Sequence, residues 1–426
     1  MLHLKKRMSF ETGPHLGGGS GKVRRPELLL LWIAIVTAML VDGGSALGCW
    51  KPGGCGMTVY AATPVEELIR QQAERLPLDQ VEQYWSKLMK QYGGYFPDAQ
   101  APTFMDLLLG AKDISLSSIF SGMLRYFFHE LIYGGKLLVS IVILSVFSML
   151  LETLQSSFEK NNVSKIAYAI SFMVLMIMAV NSFNLAIGYA KSAISDMTHF
   201  MIAVVPLLLT LLASMGNVVS VSVMHPLIIF MVHAVGTAIY FVVFPLLFFS
   251  AVLHIVSSLS DKYKVTQLAN LLRKISLGCL GIFVTVFLGV ISVQGGTGAI
   301  ADGVTIRTAK YIAGNFVPVV GRLFSDASET VIGASLLVKN AVGLSGVVII
   351  LVLCAFPALK IIALAFIYNL SAAIMQPLGD HPMISCLETI GKSLIYVFAA
   401  LAAVGLMFFF AITILIAAGN VSVMMR

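Results

Sequence analysis

From about residue 116 onward the chain reads as long apolar runs parted by short polar interruptions. The runs 137–154, 166–187, 275–293 and 393–419 each match the ~20 residues that cross a ~30 Å hydrocarbon core as helix. A further run, 346–368, carries Pro357 and Lys360 inside it. Residues 200–256 are too long for one crossing: at ~1.5 Å per residue they make a helix of roughly 85 Å. The run must therefore break, and 214-SMGN-217, Gly236 and Pro245 are the candidate places. The basic segment 257–274, with Lys262, Lys264, Arg273 and Lys274 against Asp261, belongs on the inner side by the positive-inside rule. With an exported N-terminal region, that rule asks for an odd number of crossings between 188–199 and 257–274. The pattern thus predicts about seven to eight spans, and eight would leave the C-terminus outside.

Composition agrees with the pattern. Apolar residues make up 58% of the 426 and charged residues 12%, about half the ~25% of a soluble domain. The fold class is all-α, a polytopic helical membrane protein with a signal-like N-terminal segment and a small exported helical region. A membrane barrel would show short alternating segments, which the chain lacks. The formal net charge is +7, much of it gathered in residues 1–27 without interleaved aromatics, so no nucleic-acid partner is expected.

Three regions follow. Residues 1–48 form a signal-like targeting segment: basic residues end at 24-RRPE-27, then comes the short run 28-LLLLWIAIVTAMLV-41. Ala46 and Gly48 supply small residues for cleavage before Cys49, while lipidation at Cys49 and an uncleaved anchor stay open. Residues 49–130 form an exported polar helical region. Within it 64–76 and 78–92 have helical periodicity, and Val81, Trp85 and Leu88 share one stripe. Two short amphipathic helices bury little core alone, so they dock on the membrane domain or a partner, or remain a solvated tether. Residues 131–426 form the multi-span transmembrane domain.

Between two apolar runs lies 294-QGGTGAIADGVTIRTAKYIAGNFVPVVGRLFSDASE-329. Its glycines lack the preceding strand, the later acidic residue and the Walker lysine of nucleotide-binding loops. Phe316, Val320, Leu323, Ala327, Val331, Ala334 and Val338 step by 3 or 4, which predicts an amphipathic helix with Asn315 as its cap and Pro318 in its first turn. Arg322 and Asp326 sit at i, i+4, with Glu329 on a nearby polar arc, and Arg307 and Lys310 lie upstream after a glycine hinge. Such a helix lies in the interface, lines a watery cavity or re-enters the membrane.

Lys360 sits in apolar ground, where a lysine snorkels or marks a span's end. Arg307, Lys310, Arg322, Asp326, Glu329 and Lys360 are the candidate cavity-lining or interface residues. His225, His233 and His254 have no acidic residue scattered among them, and Asp380 and His381 have no further ligands at metal spacing. Neither a Ser/His/Asp set nor HExxH occurs. No catalytic, cofactor or metal site is expected.

The strings 224-MHPLIIF-230, 261-DKYKVTQLANLLRK-274, 288-LGVISVQGG-296, 302-DGVTIRTAKYIAGNFVPVVGRLFSDASETV-331, 376-QPLGDHP-382 and 393-SLIYVFAALA-402 resemble the stage III sporulation protein AE family of endospore-forming bacteria. The resemblance covers residues 130–426 well and the exported region loosely. It implies a non-enzymatic component of a channel or secretion-like complex linking mother cell and forespore, in the mother-cell membrane around the forespore. It also implies partners among the other proteins of the same sporulation operon, with a forespore-side partner across the gap. The alternative reading is a permease moving a solute through its own membrane cavity, for which Gly/Pro interruptions speak.

Overall fold

The computed structural model describes residues 78–95, 104, 116–157, 162–259, 265–316, 320–378 and 382–424. They belong to one compact unit, residues 62–426. The signal-like segment, the helix expected over 64–76, and Asp380 and His381 lie outside the described residues.

Every described element is helical. In chain order these are α1 (Asp79–Tyr92), α2 (Leu116–Tyr133), α3 (Gly135–Ser157), α4 (Asn162–Ser214) and α5 (Val218–Ala238). A π-helical stretch, Ile239–Val243, joins α5 to α6 (Phe244–Leu259). Then come α7 (Thr266–Phe316), α8 (Val320–Met375) and α9 (Pro382–Met424). Among the described residues, six stretches of helix are long and apolar enough to cross a membrane, and the protein is an all-α multi-pass membrane protein.

The predicted break after residue 213 is real. Met215 and Gly216 form the turn, and Gly216 has φ 87°, a left-handed conformation that glycine adopts without a Cβ penalty. The other two candidate breaks are absorbed: Gly236 sits within α5 and Pro245 falls in the first turn of α6. Pattern reading counts seven to eight spans because it divides the chain at 188–199, where α4 instead runs through without a break. At ~1.5 Å per residue the 53 residues of α4 extend roughly 80 Å, far more than a ~30 Å core. Residues 294–316 likewise continue α7, so Asn315 falls in the last turn of that helix instead of ahead of a new one, and no hinge interrupts the glycines.

Contacts between α4, α8 and α9 set the bundle. Tyr368 of α8 donates to Ser182 Oγ of α4 at 2.8 Å, and farther along, Gly346 faces Phe200 and Val204. The two helices are therefore antiparallel. On α9, Gly391, Gly405 and Gly419 recur every fourteen residues and face Asn369, Cys354 and Lys339 of α8, which recur every fifteen. Each glycine lets a larger α8 side chain lie against the α9 backbone, the close approach that membrane helices obtain from small residues.

The glycine cluster 295–298 has the same use. A Cβ on Gly295 would lie 3.1 Å from Ile414 Cγ2, and one on Gly298 would strike Ser220 Oγ. These glycines seat α7 on α9 and α5 rather than cradling a phosphate.

Candidate functional site

The stripe on α1 buries Val81, Trp85, Leu88 and Tyr92. It docks on the membrane domain, which decides among the alternatives open from sequence. Tyr84 meets Phe200 of α4 edge-on at 5.5 Å, and Tyr92 stacks on Phe356 of α8 at 4.0 Å. Tyr126 of α2 closes the group, 4.9 Å from Phe356 and 5.8 Å from Tyr92. Past α1, Tyr95 stands edge-on to Tyr126 at 5.0 Å, and its hydroxyl is 3.2 Å from His129 Nδ1. Burial pushes the Tyr92 phenol up to about 12, with the carboxylates of Asp196 and Glu130 adding to the rise. The Tyr84 phenol is raised too, by burial first and then Asp196, against the lowering pull of Lys87.

Under α1 lies a cavity of about 140 Å³ whose polar lining includes Lys87, Tyr189, Ser192, Asp196 and Lys360. Lys87 donates to Asp196 Oδ1 at 3.2 Å across its rim. Lys360 is inside α8, 3.6 Å from Glu130 Oε1 of α2 and 4.5 Å from the centre of the Tyr189 ring. Its side chain is 29% exposed and that of Glu130 14%, so the charge is compensated by a protein partner rather than by reaching for water.

The same level carries two more cation–tyrosine pairs. Lys191 lies 4.0 Å from the Tyr240 ring centre, and the Arg273 guanidinium lies 4.7 Å from that of Tyr396. Tyr396 falls between Gly391 and Gly405, which face Asn369 and Cys354, so this pair sits about one helical turn from Lys360. Lysine, arginine and tyrosine gathered at one height form the kind of belt found where a bilayer meets water.

A second polar layer closes the far end of the bundle. Lys339 of α8 is 1% exposed and donates to the Ile416 carbonyl at 2.8 Å and to Asn420 Oδ1 at 3.0 Å, both on α9. Asp302 of α7, also 1% exposed, accepts the backbone N–H of Val219 at 3.1 Å and of Ser220 at 3.2 Å. Those are the second and third residues of α5, whose own Asn217 side chain does not cap it. Asp302 thus serves as an N-cap supplied by another helix, where the helix dipole favours negative charge.

The family model described as stage III sporulation protein AE matches residues 100–419. The chain belongs to the stage III sporulation protein AE family. A curated relative from Bacillus subtilis (strain 168), "Stage III sporulation protein AE", is 48% identical over 395 residues, 93% of this chain and 99% of the relative. No solved structure matches the chain.

For this member of the stage III AE family, the six candidate residues distribute unevenly. Lys360 lines the cavity under α1, and Arg307 is exposed on α7. Lys310 lies on α7 and Arg322, Asp326 and Glu329 on the first turns of α8, with side chains outside the described set. His225 and His233 are exposed on α5, away from the cavity. Sequence reasoning missed Lys339, Asp302, Glu130, Asp196 and Lys191. One signal was available: an ionisable residue inside a long apolar helix calls for a named partner.

Proposed function

We infer that this protein is a non-enzymatic component of the channel or secretion-like complex that links mother cell and forespore, seated in the mother-cell membrane around the forespore. Family membership supports the process. The single observation that supports a platform role is how the buried charges are used. Lys339 fastens α8 to α9, Asp302 fastens α7 to α5, and Lys360 fastens α8 to α2. Each joins helices instead of converging with the others on a reacting centre. The expected partners are other proteins of the same sporulation operon and a forespore-side protein, met by the exported region.

Affinity isolation of the complete protein from sporulating cells tests this reading. Operon partners should co-purify, and a fluorescent fusion should mark the membrane around the forespore. Recovery of the protein alone, uniformly distributed in the cell membrane, would overturn it.

A second reading, a permease, draws on the cavity lined by Lys87, Asp196 and Lys360. Solute flux through the purified protein in vesicles without partners would favour the permease. Flux that requires the assembled complex would favour the platform.

A further inference from the structure

A groove of about 400 Å³ runs beside the belt, where α2 turns into α3 and both face α4 and α8. This is the size of pockets that hold small ligands, roughly 300–1,000 Å³. Its walls are apolar, with Leu137 from α3, Leu185 from α4, and Leu364 and Ile367 from α8. At one end stand Tyr133 and Lys136, both exposed. Glu130 also lines the groove, but its carboxylate already faces Lys360. Among the described residues no carboxylate lies within ion-pair distance of Lys136. Gly134 makes the shape possible: a Cβ there would strike Ile367 and come within 3.1 Å of the Glu130 carbonyl.

An apolar trough headed by a tyrosine and by a cation that meets no carboxylate among the described residues, level with a belt of cation–tyrosine pairs, is complementary to an anionic amphiphile. We propose that the groove binds one anionic phospholipid of the surrounding bilayer. One acyl chain lies along Leu137, Leu185 and Leu364, and the phosphate sits on Lys136 beside the Tyr133 hydroxyl. Charge complementarity selects this occupant over an apolar packed helix, which would bury Lys136 without a counter-charge. The site goes beyond the sporulation role and needs only that the protein spans a membrane.

The test uses the full-length protein in mild detergent, with phosphatidylglycerol and phosphatidylcholine of identical acyl chains as probes and native mass spectrometry as the readout. A lysine near an anionic headgroup contributes enough for about five-fold preference for phosphatidylglycerol. Lys136→Gln should abolish that preference while leaving retention of phosphatidylcholine unchanged. Leu185→Trp, at an exposed position that fills the trough, should reduce retention of both lipids. Should Lys136→Gln fail to fold, the wild-type preference should still fall as salt is raised. Equal retention of the two lipids by the wild type would overturn the proposal. So would a preference that survives Lys136→Gln, or a changed oligomeric state with unchanged lipid retention in Leu185→Trp.

Discussion

Gly419 stands where the Lys339 side chain crosses from α8 to α9, so close that a Cβ on it would strike Nζ. The ammonium is fully buried and held by the Ile416 carbonyl and Asn420 on the same turn of α9. It cannot swing aside without abandoning both acceptors. Leu212 Cδ1, 2.9 Å from the same Cβ position, blocks another way out. Gly419→Val should therefore cost about 1–3 kcal/mol through overpacking. Gly333→Ala on α8, with nothing within 4 Å of its Cβ, should be neutral or stabilise by about 0.5–1 kcal/mol. Unfolding in mixed micelles measures both, and equal behaviour of the two would contradict the close contact.

Asp302 supplies the acceptor for two N–H groups that begin α5. Asp302→Ala leaves those donors buried without a partner, at about 1–3 kcal/mol. Asp302→Asn keeps one oxygen for them and loses only the charge, so it should cost less than the alanine. The informative result is this order of the two variants in unfolding experiments. Equal cost of the two variants, both of which lack the charge, would mean that the carboxylate is held for its charge and not for the cap.

Lys360 and Glu130 form a partly buried pair, and removing one member strands the other. Lys360→Met and Glu130→Gln should each destabilise by about 1–2 kcal/mol, between the values for exposed and buried pairs. The double variant should cost less than the sum of the singles. A double-mutant cycle checks this, and additivity would show that the 3.6 Å approach carries no coupling.

The buried stripe of α1 was legible, though not the surface it docks on, because its contacts are apolar. Val81, Trp85 and Leu88 recur at helical spacing, and helical spacing is what buries them. The turn at Gly216 was legible for a different reason: helix length against bilayer thickness forces a break within 200–256. The continuity of α4 was not. Gly188, Tyr189, Lys191 and Asp196 read as an aqueous loop, yet in the structure they stay helical, with Asp196 paired to Lys87 of the docked α1 and Lys191 over Tyr240. Lys339 and Asp302 escaped for a third reason. Their partners include main-chain carbonyl and amide groups on other helices, and side-chain spacing does not encode those.

Tyr92 gives a pH signature for α1 docking. Its phenol is pushed up to about 12 from an ordinary 10.0, mainly by burial against Phe356 and Tyr126. The folded value is raised above the unfolded one, so the contribution to stability is fully present below about pH 10 and is lost as pH rises through about 12. α1 should therefore release in that window. A cysteine at Leu88 would report the release by its thiol reactivity. Tyr92→Phe should shift the release to higher pH, because the ring packing survives without a proton to lose. An unchanged release profile would place the titrating group elsewhere.

Arg322 and Asp326 lie at i, i+4 on the first turns of α8. That spacing pairs opposite charges on one helical face. An interface or cavity-lining role for this face predicts that Arg322→Glu and Asp326→Leu lower spore yield while membrane insertion stays intact. The charge reversal Arg322→Glu with Asp326→Arg restores the pair but inverts what it offers a partner. If the two residues only steady α8, that double variant should recover spore yield. If they meet another protein, yield should stay low, and wild-type yield from both single variants would remove any role for this face. Membrane fractionation separates each outcome from simple misinsertion.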